Sequence, residues 1–330
     1  MTEAGQGIYI LVNANAKRGG RRIAVQIARA LPGASVRLTR TTQEIDGWLR
    51  SIRTPRGILS AGGDGSAVAL LNALDRVIPK GEPLPTVGAL PLGTGNAWAH
   101  ALGARSLDKC VRALARTSGP LPTKRYALLE SGGVSTFFAG CGWDAQILDD
   151  FRQQVSASPS SRLAKSVWGY LLAVALRTAP KTLIRGRPHV IVENLGSDVY
   201  TITPSGKLVR MEGVRRGTVL YDGIASAAGA ATCPEYGYGC RIYPFAERLL
   251  GFINVRVYDR KVKDAIFDIP KLWRGEHPLE GMTDWFATEV RMTFSRPLPL
   301  QIGGEAVGSR LTVEYKISPR EVAAVDWRMM

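Results

Sequence analysis

Short apolar runs alternate with helix-period stretches along the first third of the chain. Ile8–Asn13 (IYILVN) is an apolar run closed by a polar, Gly-bearing loop and predicts a buried strand. Arg21–Leu31 then carries Ile23, Ile27, Ala30 and Leu31 at helical spacing. Ala34–Thr39 predicts a second strand, Gln43–Ile52 a helix, and Arg56–Ala61 a third strand. Gly62–Gly65 is a glycine loop, Ala67–Val77 a helix, Pro85–Gly93 a fourth strand with another loop, and Asn96–Leu102 the start of a further helix. Strand, loop and helix repeated in this way imply a parallel sheet with helices on both faces.

The pattern changes after about Pro122. Strand-like runs follow one another, among them RYALLES, STFFAGCG, HVIVEN, VYTIT, GTVLYDGIASAAG, INVRVYD, EVRMTF, LPLQIGG and LTVEYKI, separated by Gly, Pro and charged turns. This predicts a C-terminal antiparallel, β-sandwich-like domain. One helical insert, from about Ser161 to Thr178, interrupts it. The expected division is an α/β domain over 1–124 and a β-rich domain over 125–314. Whether the segment at about 315–330 returns to the first domain is left open by the pattern.

Composition adds a constraint on partners. The 330 residues carry a net charge of +15 with 45% hydrophobic residues, ordinary for a folded protein but basic enough to point to an anionic partner. Nucleic acid, an anionic membrane or a phosphorylated substrate would each fit, but no nucleic-acid docking motif is present. Cys110, Cys141, Cys233 and Cys240 form no C-x-x-C pair, and with His100, His189 and His277 they give no zinc-ligand spacing. Scattered free thiols fit a reducing compartment. The N-terminus has no signal-peptide pattern, and the longest apolar stretch, Val167–Leu176, is too short to span a bilayer. The expectation is a cytoplasmic protein whose membrane contact is peripheral.

Three loops stand at the carboxyl ends of predicted strands, where open parallel sheets bind ligands. The first, Asn13–Gly20, offers backbone N–H groups, a following helix N-terminus, and the charges of Lys17, Arg18, Arg21 and Arg22. It reads equally well as a plain turn. The second, Gly62-Gly-Asp-Gly-Ser66, lets a backbone approach phosphates closely. Asp64 at its tip suits a general base or a Mg²⁺ ligand, or simply begins the next helix. The third, Pro91-Leu-Gly-Thr-Gly-Asn96, is another phosphate-sized nest. Neither a Gly-Lys-Ser/Thr ending nor a G-x-G-x-x-G after the first strand occurs, which argues against the common P-loop and dinucleotide fingerprints.

The second and third loops together resemble the catalytic domain of the diacylglycerol kinases and their sphingosine- and ceramide-kinase relatives. NANAKRGG at 13–20 is similar to that family's opening N-P-x-x-G loop, GCGWDA at 140–145 to its G-x-G-x-D-A motif, and IGGE at 302–305 to its late D-G-E motif. The resemblance runs in order from about residue 8 to 315.

It implies an ATP- and Mg²⁺-dependent lipid kinase with the nucleotide between two domains. Asn13 and, loosely, Thr39 would contact the nucleotide; Thr41 stands close by. Gly62, Gly63 and Gly65, with Ser66, would lie against the phosphates, and Gly93, Thr94, Gly95 and Asn96 along the adenosine and phosphates. Asp64 would take the proton of the attacking hydroxyl, Asp144 would orient the lipid headgroup or metal network, and Glu305 would hold Mg²⁺ and act catalytically. The implied acceptor is diacylglycerol first, then ceramide or a sphingoid base, on an anionic membrane surface and with no nucleic acid. An NAD-kinase-like enzyme sharing G-G-D-G and a non-catalytic nucleotide-binding module are the rival readings.

The chain departs from the family pattern in three places. Ser66 replaces the usual threonine, Ala97-Trp98 replace a polar or acidic residue and an aromatic, and Gly303 stands where D-G-E has its aspartate. Two segments carry open alternatives. Cys233–Phe245 could line an acceptor pocket through Tyr236, Tyr238 and Phe245, or supply aromatic core. The helix around Val167–Leu176, with Lys165, Arg177, Lys181, Arg185 and Arg187 nearby, could lie on a membrane or pack in a core.

Overall fold

The computed structural model describes residues 5–14, 20–93, 95–143, 145–146 and 186–330. The chain divides into two compact units. The first comprises Met1–Leu128, Glu235–Gly239 and Ser318–Met330; the second comprises Leu129–Pro234 and Cys240–Ile317.

The first unit contains β1 (Ile8–Asn13), α1 (Gly20–Ala30), β2 (Ser35–Thr39), α2 (Thr42–Ser51), β3 (Gly57–Gly62), α3 (Asp64–Val77), β4 (Val87–Pro91), α4 (Ala97–Ala101), α5 (Leu107–Arg116) and β5 (Thr123–Tyr126). The chain's last strand, β18 (Val322–Val325), joins them, and the sheet runs β2-β1-β3-β4-β18-β5. Strands β1 to β4 pair in parallel; β18 runs parallel to β4 and antiparallel to β5. The step from β1 out to β2 and the return across β1 to β3 reverse direction. Right-handed crossovers therefore place α1 on one face and α2 and α3 on the other. The packing agrees: α1 touches α5, and α2 touches α3. The central strands are apolar but for Ser60 of β3 and Asn13 at the end of β1, because both faces are covered. Every residue of β3 and of β4 is buried.

Local chemistry fixes the helix starts. Thr41 caps α2 by accepting from the Glu44 N–H at 3.3 Å, while the Arg40 N–H donates back to Glu44 Oε2 at 2.7 Å. Ser106 caps α5 in the same way through the Lys109 N–H at 3.3 Å. The glycine loop after β3 is shorter than the residue pattern suggests. Gly63 is the cap and Asp64 is already the first helical residue, favourably placed at the positive end of α3.

The second unit contains β6 (Leu129–Ser131), β7 (Val134–Thr136), β8 (Phe138–Gly142), β9 (His189–Asn194), β10 (Val199–Ile202), β11 (Leu208–Arg210), β12 (Val219–Ile224), β13 (Ala227–Ala231), β14 (Ile253–Tyr258), α6 (Val262–Arg274), β15 (Met282–Ala287), β16 (Glu289–Ile302) and β17 (Glu305–Ile317). All its strands belong to one antiparallel sheet, ordered β11-β10-β15-β14-β13-β8-β16-β17-β6-β7, with β9 pairing both β12 and β16. The sheet curls about a common core to which Cys141, Val192, Val255, Trp285, Met292 and Tyr315 contribute from six different strands. EVRMTF and LPLQIGG form a single long strand, β16. Its register shifts between Thr293 and Leu298 and again between Pro299 and Gln301, where prolines cannot donate to the ladder. The helical insert expected at 161–178 lies outside the described residues.

Candidate active site

The two glycine turns of the first unit are locked together. β3 and β4 are neighbours in register, with Gly62 opposite Pro91, so the turns that follow them emerge side by side. The Gly62 carbonyl accepts from the N–H groups of Leu92 at 3.1 Å and Gly93 at 2.9 Å. A Cβ on Gly93 would stand 2.2 Å from Gly63 Cα, and one on Gly62 would stand 2.2 Å from Ser66 Oγ. The close approach of the two turns requires glycine at 93, whereas glycine at 62 leaves the room that the Ser66 side chain takes at the start of α3.

Asn96 closes the second turn on itself. Its Oδ1 accepts from the Gly93 N–H at 2.8 Å and its Nδ2 donates to the Gly93 carbonyl at 3.0 Å. Asn96 adopts the left-handed conformation, φ 54°, that Asn tolerates better than most residues. Its side chain is thereby spent on the turn, and α4 takes its cap from elsewhere. Asp64 supplies it: Oδ1 accepts from the Trp98 N–H at 3.0 Å and Oδ2 from the Ala97 N–H at 3.1 Å. One carboxylate thus starts α3 in sequence and caps α4 in space.

Asn13 completes the cluster at the end of β1. Its Nδ2 donates to Ser66 Oγ at 2.9 Å, so the hydroxyl kept by the Ser-for-Thr replacement has a structural partner. Thr39 is buried and directly opposite Asn13 in the β1–β2 register. Thr41 is occupied as the α2 cap. Gly65 is the second residue of α3, and Gly95 lies so close to Asp64 that a Cβ there would stand 3.1 Å from Oδ2. Asn13, Thr39, Gly62, Gly63, Asp64, Gly65, Ser66, Gly93, Gly95 and Asn96 therefore cluster within one unit. Thr94, Asp144 and the loop residues 15–19 lie outside the described residues.

Glu305 belongs to the second unit. It is the first residue of β17, exposed, after the two-residue turn Gly303-Gly304 that joins β16 to β17. Both glycines have positive φ, 58° and 81°, as a tight hairpin turn of this length demands. The Gly303 N–H donates to the Phe138 carbonyl at 2.9 Å.

Electrostatics single out two groups. Burial pushes the Asp64 carboxyl above the ordinary carboxylate range, opposed by the N–H groups of Trp98 and Ala97 and by nearby His100. His100, on α4, is raised above the ordinary histidine value, chiefly by Glu235, whose Oε2 stands 3.5 Å from Nδ1; burial works against the shift and Asp64 adds to it. Glu235 lies on the stretch Glu235–Gly239 that joins the first unit, where the Tyr238 N–H also donates to the Gly95 carbonyl at 3.2 Å. Sequence reasoning missed His100 and Glu235. The only available signal was that His100 falls four residues after Asn96, one helical turn beyond the motif. The aromatic segment around 233–245 is divided: Tyr236 and Tyr238 go with the first unit, whereas Phe245 is buried against Ile202 and Phe286 in the second.

Residues 7–121 match the family model of the diacylglycerol kinase catalytic domain. A stretch of 46 residues is 52% identical to the eye-specific diacylglycerol kinase of Drosophila melanogaster; it covers 14% of this chain and only 3% of that protein. A candidate diacylglycerol kinase from Bacillus anthracis strain Sterne aligns over 99% of this chain and 97% of its own, with a TM-score of 0.66 at 15% identity. A diacylglycerol kinase structure from the same organism aligns over 99% and 98%, with a TM-score of 0.60 at 12% identity. At such identities the structural likeness speaks for the two-part fold. The glycine turns lie inside the segment that matches the diacylglycerol kinase catalytic-domain model, and the whole chain shares the two-part fold of these structures.

Proposed function

We propose that this chain is an ATP-dependent lipid kinase that transfers the γ-phosphate to a lipid hydroxyl, with diacylglycerol as the acceptor and phosphatidic acid as the product. The observation that carries this reading is the Gly62–Gly93 lock with the Asp64 carboxylate pinned beside it. Phosphoryl transfer asks the protein for positioning, charge neutralisation and one base. Turns bare of side chains at Gly62, Gly63 and Gly93 let a triphosphate lie against the backbone, and Asn13, Thr39, Gly62, Gly63, Gly65, Ser66, Gly93, Thr94, Gly95 and Asn96 are its proposed neighbours. Asp64 is the proposed base. Each of its oxygens accepts one backbone N–H and keeps a further lone pair, and a raised pKa makes the carboxylate a better proton acceptor.

Mg²⁺ in such sites is held largely by phosphates and water, with one or two carboxylates. Glu305 is the proposed Mg²⁺ carboxylate, Asp144 is proposed to orient the lipid headgroup or metal network, and the β-rich region, about 125–314, is the proposed lipid-substrate domain. A lipid acceptor resides in a bilayer, so the proposed state is cytoplasmic and peripherally bound; no helix among the described residues is long and apolar enough to cross a membrane.

The decisive test is transfer of labelled phosphate from ATP in mixed micelles to diacylglycerol, monoacylglycerol, ceramide and sphingosine, with NAD in a parallel detergent-free reaction. Labelled phosphatidic acid as the main product is expected. Ceramide or sphingosine as the preferred acceptor would move the acceptor assignment; turnover of NAD with none of any lipid would reject the lipid-kinase reading.

A further inference from the structure

The cations of the first unit are unevenly spent. Arg76 pairs with Asp46 at 2.8 Å, Lys80 with Asp75 at 2.9 Å and Arg125 with Glu321 at 2.6 Å. Among the described residues, Arg37, Arg40, Arg50 and Arg53, on and around β2 and α2, are exposed without a side-chain partner, but the densest unpaired set lies on the face made by α1 and α5. On α1, Arg21, Arg22 and Arg29 are exposed together with Val25, at spacings that put them on one stripe opposite Ile23 and Ile27. They line a shallow depression with Gln26. On α5, Lys109, Arg112 and Arg116 form a second exposed stripe, opposite the buried Cys110, Val111 and Leu114, and Arg105 precedes it. The two helices pack side by side and are tied by Gln26 Nε2 donating to Asp108 Oδ1 at 3.2 Å. Asp108 is the sole acid on either helix, and it is engaged by that bond. Among the described residues no ion pair or hydrogen bond neutralises any of these basic side chains.

We infer that the α1–α5 face is an electrostatic docking surface for an anionic lipid bilayer. Two adjoining basic stripes with one exposed valine and no aromatic residue suit adsorption onto phosphate headgroups rather than insertion between acyl chains or stacking on bases. The choice of a bilayer over another polyanion rests on the lipid-kinase reading, since that substrate resides in a membrane. The argument for the face itself, six exposed and unpaired cations gathered on two adjoining helices with one engaged acid, stands apart from turnover.

The test is sedimentation of the full chain with equimolar phosphatidylglycerol–phosphatidylcholine vesicles and with pure phosphatidylcholine vesicles, both without diacylglycerol or ATP. Two quadruple variants are compared: R22Q/R29Q/K109Q/R112Q on the face, and K207Q/R215Q/R241Q/R310Q on the second unit, which lower the net charge equally. The wild-type chain and the second variant should bind the anionic vesicles and release them as salt rises. The face variant should lose on the order of 100-fold in partition with an unchanged far-ultraviolet dichroism spectrum. Equal loss in both variants would show that binding follows net charge alone and would overturn the assignment. So would unchanged binding by the face variant, or equal wild-type binding to neutral vesicles. Loss of duplex-DNA retention by the face variant with vesicle binding intact would reassign the surface to nucleic acid. Since no turnover is measured, vesicle docking without kinase activity in the micelle assay would reject the proposed function while leaving this face in place.

Discussion

Asp64 does two jobs that a single substitution can separate. Its carboxylate caps α4 through two backbone N–H groups, and it is the proposed base. Asp64→Asn keeps one acceptor but turns an amide N–H toward another donor, which costs about 1–3 kcal/mol of stability. It also removes the base, for which the expected loss in kcat is about 10²- to 10⁴-fold. The expected outcome is a folded protein with a lowered melting temperature, nucleotide affinity little changed, and kcat reduced on that scale; a merely structural Asp64 would lower stability and leave kcat near wild type. The sign of the pH effect follows from burial. A carboxyl raised above its ordinary value loses its proton at higher pH, so the acid limb of the wild-type kcat/KM profile should lie above the ordinary carboxylate range, and the residual activity of the Asp64→Asn variant should lack that limb. The sequence offered base and helix-start readings of this residue. It did not show that Asp64 caps a different helix from the one it begins, because that bond spans 34 residues to Trp98.

Between elements, the firmest cross-link in the second unit joins β14 to β15. Arg256 and Asp284 are directly opposite in the antiparallel register and meet in a bidentate pair, Nε–Oδ1 and Nη2–Oδ2 both 2.8 Å, with both residues almost fully buried. Asn254 Nδ2 adds a bond to Asp284 Oδ1 at 3.0 Å. Removing one charge from such a pair leaves the other stranded, so Asp284→Asn should lower unfolding free energy by about 3–5 kcal/mol in urea titration. The double replacement Arg256→Met with Asp284→Leu should recover most of it, because two desolvated charges give way to apolar packing. No recovery in the double variant would show the pair to be intrinsically stabilising. β15 was not evident in the sequence for the same reason that it is interesting: Thr283 and Asp284 interrupt its apolar run. α5 was hidden by its arginines, and α6 by the internal Pro270, which removes a helical hydrogen bond. The strands β1, β3, β4, β9 and β14 were legible because burial on the sheet leaves unbroken or alternating apolar runs that need no knowledge of their partners.

Sheet membership is a property of the whole molecule, and β18 shows what it controls. The first unit's sheet seats this four-residue strand from the end of the chain between β4 and β5, strands that are otherwise consecutive in the sequence of that unit. No local pattern reports such a placement, since four apolar residues fit many positions. Val322, Ala324 and Val325 are buried there, and Gly88 on β4 leaves the room that Val325 fills, for a Cβ on it would stand 3.1 Å from Val325 Cγ2. The residues that follow brace α4: the Trp327 N–H donates to the Leu102 carbonyl at 2.9 Å, and Arg328 Nη2 to the Ala101 carbonyl at 2.6 Å. α4 is the helix that Asp64 caps, so the tail supports the glycine turns without touching them. Deleting 318–330 takes away β5's partner strand within the sheet and exposes the edge of β4. The shortened chain should aggregate or unfold at markedly lower denaturant, and what remains folded should bind ATP more weakly. Trp327→Ala is the gentler probe: loss of a buried indole should cost about 3–5 kcal/mol and carry nucleotide affinity down with it. A chain ending at Ile317 that unfolds at the wild-type midpoint and holds ATP as tightly would show that the tail is dispensable and that the turns stand without it.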